Sequence, residues 1–181
     1  SVTSGQIDLF DDSLIRNIGR YIANVQIHDR YFVNFADADA IISPSSSLVY
    51  RYGKRIQDPE LMNMGAYFAN LEDVATLGVQ ERLNHPANHI AREIPALLSV
   101  GELLEDDPVA PLPRDVWLPD IEIMAARDRS GTSDGFYVAA KGGHNAESHN
   151  HNDVGNCIVY IDGKPLLIDP GGGIYSIAPF G

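Results

Sequence analysis

Asp106-Asp107-Pro108-Val109-Ala110-Pro111-Leu112-Pro113-Arg114-Asp115-Val116-Trp117-Leu118-Pro119 divides the chain into two kinds of sequence. Its four prolines and scarcity of periodic apolar positions make it a junction rather than an element. Beyond it the hydrophobic period is two. Ile121, Ile123 and Ala125 alternate with Glu122, Met124 and Ala126, and apolar runs follow at Phe136–Ala140, Cys157–Ile161 and Leu166–Ile168. Alternation of this kind belongs to strands. Asp162-Gly163-Lys164-Pro165 joins the last two runs as a hairpin turn, so an antiparallel sheet is expected.

Before the junction the spacing is helical. Asp12 or Ser13 can cap a helix in which Leu14, Ile15, Ile18, Tyr21, Ile22 and Val25 form one stripe, expected to be buried, with Arg16, Asn17 and Arg20 opposite. A second helix start lies at Ser45–Ser47. A third lies at Asp58-Pro59-Glu60, where proline suits the first helical position and Leu61, Met64, Tyr67 and Phe68 share a face. Short helices are expected around Ile90 and over Pro95–Leu104. The class is therefore α+β, with helices in residues 1–110, a linker to about 118, and sheet over 119–181.

The chain has 181 residues, 44% of them hydrophobic, enough for a sizeable core. A formal charge of -12 excludes a large electrostatic footprint for nucleic acid, which depends on Lys and Arg neutralising phosphates. No apolar run approaches the roughly 18 residues of a membrane span, and Ser1-Val2-Thr3-Ser4-Gly5 lacks the features of a secretory signal. Without an initial Met, the chain is expected to be an internal segment. Cys157, in an apolar run, is expected to be a buried small hydrophobe, and no intrachain disulfide can form.

Three of the six histidines fall in the run Gly142-Gly143-His144-Asn145-Ala146-Glu147-Ser148-His149-Asn150-His151-Asn152-Asp153. If this run is extended, His149 and His151 project from one face. Asp169 ends the run Leu166-Leu167-Ile168, and a hairpin through Gly163 returns it towards the strand that follows His151, so His151 and Asp169 could supply two ligands to one metal. A short polar loop containing His is, on composition alone, more often a surface turn. His144 and Glu147, beside two glycines, can simply fix the turn by local hydrogen bonds. Asn150, Asn152 and Asp153 can orient the histidines. Lys141 and Arg127 are the natural cations of this half for a polyanion, with exposed, solubilising side chains as the plainer reading.

The stretch Ala139-Ala140-Lys141-Gly142-Gly143-His144-Asn145-Ala146-Glu147-Ser148-His149-Asn150-His151-Asn152-Asp153-Val154-Gly155-Asn156 resembles the signature of the heparinase II/III-like polysaccharide lyases. The continuation Ile158–Gly171 and, in the helical half, Tyr31-Phe32-Val33-Asn34-Phe35-Ala36-Asp37-Ala38 resemble the same family. The resemblance implies the last helices of an (α/α) toroid followed by the first strands of an antiparallel β-sandwich. It also implies β-elimination on uronic-acid-containing glycans, with an acidic polysaccharide or oligosaccharide as partner and no nucleic acid or membrane. By this resemblance His149 is the catalytic histidine, and His151 and Asp169 are ligands of a divalent metal, typically Zn2+. The third ligand would lie past Gly181, and the toroid tyrosine with its Asn or His partner before Ser1. His144, Glu147 and Asn150 stand as substrate-binding candidates. A periplasmic or extracellular setting is favoured by the resemblance, and homo-oligomerisation is left open. Two other readings stand beside the lyase: a non-catalytic, metal-braced carbohydrate-binding or structural module, and a metal-dependent hydrolase.

Overall fold

A computed structural model describes residues 9–72, 90–146 and 154–169. Asp12 accepts a hydrogen bond from the Leu14 N–H at 2.8 Å and so caps α1 (Ser13–Asn24). The hairpin β1 (Gln26–His28) and β2 (Tyr31–Phe32) follows, then α2 (Ser46–Ile56) and α3 (Pro59–Leu71). At the start of α3 the Asp58 carboxylate accepts from the Leu61 N–H at 3.1 Å and Pro59 occupies the first turn, as the spacing predicts. A single helix, α4 (Ile90–Glu105), replaces the two short ones expected there and carries Pro95 within it. The end of the proline-rich stretch, expected to be linker to about 118, already forms β3 (Asp115–Leu118), which pairs with β4 (Ile123–Arg127); β5 (Phe136–Lys141), β6 (Cys157–Ile161) and β7 (Lys164–Leu167) follow. Among the described residues the fold is α+β, with four helices and two antiparallel sheets. No described helix is long and apolar enough to cross a membrane.

The chain divides into two compact units, one from Ser1–Ala23 and Ser43–Pro111, the other from Asn24–Ile42 and Leu112–Gly181. The helical unit is built on a close crossing of α2 and α3. A Cβ placed on Gly65 would lie 2.7 Å from the Tyr50 backbone nitrogen, and one on Gly53 2.8 Å from that of Met62, so the two backbones approach only because both positions are glycine. Leu61, Met64 and Phe68 are buried at this crossing, each contributing about 1.5–3 kcal/mol. The first helix departs from its expected pattern. Leu14, Ile18 and Tyr21 are exposed, whereas Arg16 donates to the Ile56 carbonyl and Arg20 forms ion pairs with Asp58 and Glu60. Tyr52 lies directly against Gly19 and donates to the Ile15 carbonyl at 2.8 Å. The arginine face therefore turns towards the ends of the facing helices, which offer carbonyl and carboxylate acceptors, while the two side chains stay 40% and 43% exposed.

The second unit is a five-stranded meander in the order β3-β4-β5-β6-β7, every neighbouring pair antiparallel. Its β6–β7 turn is Asp162-Gly163, with φ of 50° and 71°, the two positive values of a type I′ hairpin turn. The alternation of β4 places Ile123, Ala125 and Arg127 inward, in register with Lys141, Ala139 and Tyr137 of β5. Ile158 and Tyr160 of β6 continue this face. The β1–β2 hairpin belongs to this unit, although the first hundred residues read as helical. Strands of three and two residues are too short to display a period. Tyr31 meets Tyr160 edge-to-face at a ring separation of 6.0 Å.

The outer face of the same sheet is also apolar. Trp117, Met124, Ala140 and Cys157 form one cross-strand row, and Ala126, Val138, Val159 and Leu167 the next, which begins on β3 with the charged Asp115. Trp117, Phe136 and Leu167 are exposed there and most of the other side chains are half-buried, Cys157 included. Continuous apolar runs such as Cys157–Ile161 are the sequence form of strands meant to be covered on both faces.

Candidate functional site

The histidine segment is the connection between β5 and β6, and its two ends meet at one corner of the sheet. The Lys141 N–H donates to the Asn156 carbonyl at 3.0 Å, and the Gly155 N–H donates back to the Lys141 carbonyl at 2.8 Å. One step further out, the Asn145 side-chain oxygen accepts from the Val154 N–H at 3.2 Å. Gly142, with its N–H on the Glu122 carbonyl at 2.7 Å, fixes the loop's departure from the strand. The loop is therefore closed at its base by backbone pairing and by one asparagine side chain.

Asp169 sits at that same corner. The β6–β7 hairpin runs with Val159 opposite Leu167, which carries the chain back towards the start of β6, next to Asn156. There the Asn156 side-chain amide donates to Asp169 Oδ2, and the Asn34 amide donates to the Asp169 main-chain carbonyl at 3.3 Å. Asp169 is 8% exposed and Asn34 3%, so their contact is sheltered from water, whereas the Asn156–Asp169 contact is only partly buried. Both asparagines stand in stretches quoted for the family resemblance, but sequence alone assigns neither of them a role. Asn34 stands 135 residues from its partner, and no periodicity or local motif signals such a contact.

Of the other candidates, His144 is exposed and its Nδ1 accepts from the Ala146 N–H at 3.2 Å, a local bond of the turn-fixing kind. His149, His151, Glu147 and Asn150 lie outside the described residues. Among the described residues no three His, Cys, Asp or Glu side chains gather as a metal-binding group. In donor chemistry, Asp169 is of a type that suits a divalent cation: a largely buried carboxylate just past a strand end, one of whose oxygens accepts from the Asn156 amide.

Arg127 and Lys141 have a different role from either reading offered for them. Arg127 is only 5% exposed and binds four backbone carbonyls: Gln26 at 2.7 Å, Pro113 at 3.0 Å, Ile27 at 3.1 Å and Thr132 at 3.3 Å. Its guanidinium lies 4.9 Å from the centre of the Tyr137 ring. Burial pulls its pKa below the ordinary value, with the nearby Tyr137 opposing that shift. Lys141, 6% exposed, donates to the Ile121 carbonyl at 3.1 Å. Both cations face the interior and tie strands and hairpin together, so neither is presented to a polyanion.

No family model matches the chain, and no curated protein matches it.

Proposed function

We propose that the protein is a polysaccharide lyase that cleaves uronic-acid-containing glycans by β-elimination, this chain supplying one side of the active cleft. The reading is carried by the run Gly142–Asn156 together with the closure of its base onto Asp169 through Asn156. That closure supports the pairing of His151 with Asp169, because it brings the carboxylate to the end of the connection that contains the histidine.

In such a reaction the C5 proton of the uronate is removed, the C4–O bond breaks, a C4–C5 double bond forms, and the departing oxygen takes a proton. The C5 hydrogen lies α to a carboxylate, so its loss requires neutralisation of the enediolate charge that develops. His149 serves that neutralisation or the proton transfer, the latter worth about 10²–10⁴-fold. His144, Glu147 and Asn150 lie on the same connection and would contact the sugar. His151 and Asp169 would hold a divalent metal, Zn2+ by the resemblance, which would brace the sheet. The apolar outer face of the sheet supports the sandwich half of this architecture, since a second sheet would cover it.

The test is the chemical nature of the product. Uronate polymers, heparan-type and alginate among them, are incubated with the full-length protein. Unsaturated uronate ends absorbing in the ultraviolet support elimination, whereas new reducing ends without that absorbance overturn it in favour of hydrolysis.

A further inference from the structure

Gly143, at φ 85°, turns the chain away from the end of β5, and the two residues after it are tied down through their side chains. Asn145 accepts the Val154 N–H through its side-chain oxygen at 3.2 Å, and His144 accepts the Ala146 N–H through Nδ1 at 3.2 Å. The histidine bond has a chemical consequence that the asparagine bond lacks. An imidazole nitrogen that accepts a hydrogen bond carries no proton, and a neutral ring with a bare Nδ1 carries its one proton on Nε2. A ring protonated at Nδ1, as the other neutral tautomer or as imidazolium, would set an N–H against the N–H of Ala146 and lose the bond. We infer that the turn holds His144 as the neutral Nε2–H tautomer, so that in the proposed lyase it is a hydrogen-bond donor and not the base that takes the C5 proton.

The connection carries three histidines, and their intrinsic chemistry is the same. What separates them is which ring nitrogen each can offer. A general base must present a bare nitrogen to the proton it abstracts. The bare nitrogen of His144 is already committed to the backbone two residues further on. A protein oxygen or a sugar oxygen that meets Nε2 finds a donor there in either case. The sugar contact assigned to His144 is thereby narrowed to donation to a hydroxyl or carboxylate oxygen. The tautomer follows from the hydrogen bond alone, whereas the division of roles rests on the proposed elimination.

The experiment is a two-bond 1H–15N correlation spectrum of the full-length protein labelled with 15N-histidine, recorded at neutral pH. The His144 resonances are those that vanish in His144→Gln or, if that variant does not fold, in His144→Asn. The spectrum separates a protonated from a bare ring nitrogen, and the expected pattern is a protonated Nε2 with a bare Nδ1. A ring protonated at Nδ1, neutral or charged, overturns the inference. Elimination rates give the second readout. Loss of a general base costs about 10²–10⁴-fold, so kcat in the folded His144 variants should fall by less than about tenfold, and a larger fall overturns the division of roles. Elimination absent from the wild type on every uronate glycan offered overturns the lyase reading instead, and the spectrum still decides the tautomer.

Discussion

Replacing Arg127 with Met should be among the most destabilising single changes in the sheet unit. The side chain fits the space but leaves the carbonyls of Gln26, Ile27, Pro113 and Thr132 without the guanidinium that binds them. Four bonds from a cationic donor, at about 1.5–3 kcal/mol each, set the gross loss. The cost of burying the cation, expressed in its lowered pKa, offsets much of that sum. A net loss of about 3–5 kcal/mol is expected, in the range seen when one member of a buried charged network is removed. Arg127→Lys should recover only part of it, because an ammonium cannot reproduce a planar fork reaching several carbonyls. Urea denaturation followed by fluorescence of Trp117, the single tryptophan, reads out the unit directly, since Trp117 lies on β3 beside β4. With a slope of about 2 kcal/mol per molar urea, the midpoint should fall by about 2 M. A midpoint for Arg127→Met within about 0.3 M of wild type at that slope would refute the clamp, as would full recovery by lysine.

Three further changes test the packing. Gly65→Ala should destabilise the helical unit by about 1–3 kcal/mol through separation of α2 from α3, despite alanine's higher helix propensity; a raised midpoint in circular dichroism would contradict the close crossing. Gly163→Ala should cost about 1–2 kcal/mol, since the new methyl meets His28 at 2.7 Å and the residue keeps a positive φ; unchanged thermal stability would count against both contacts. Burial, and then the charge of Tyr31, raise the Tyr160 pKa above its ordinary value, so the folded state holds this proton more tightly than the unfolded chain does. Its contribution is fully present below about pH 10 and lost as pH rises through the folded value, so Tyr160→Phe should flatten the alkaline fall in stability; an identical slope from pH 9.5 to 11.5 would reject this.

Where local chemistry decides an element, the sequence displayed it. The Asp58-Pro59 start of α3, the Asp162-Gly163 turn and the inward alternation of Ile123 and Ala125 all follow from caps, turn dihedrals and period. What was hidden depends on distant partners. Arg16 and Arg20 turn towards the facing helix ends because Ile56, Asp58 and Glu60 offer acceptors there, and a helical wheel assigns charged residues to solvent by default. Arg127 is buried because backbone carbonyls surround it, and such carbonyls leave no mark on composition. The candidate site shows the same division. Hairpin geometry anticipated the return of Asp169 to the end of the histidine connection, whereas its link to Asn34 arises only when the β1–β2 segment joins the sheet unit.

The central claim is that His149 performs elimination chemistry, and the most direct measurement is the rate of ultraviolet-absorbing unsaturated product from a uronate glycan, compared between the full-length protein and its His149→Ala variant. The account predicts measurable elimination by the wild type and less than about a tenth of that rate in a variant that remains folded, since a proton-transfer group contributes at least a hundredfold. Retention of more than a tenth of the rate, or elimination absent from the wild type on every uronate glycan offered, would contradict it.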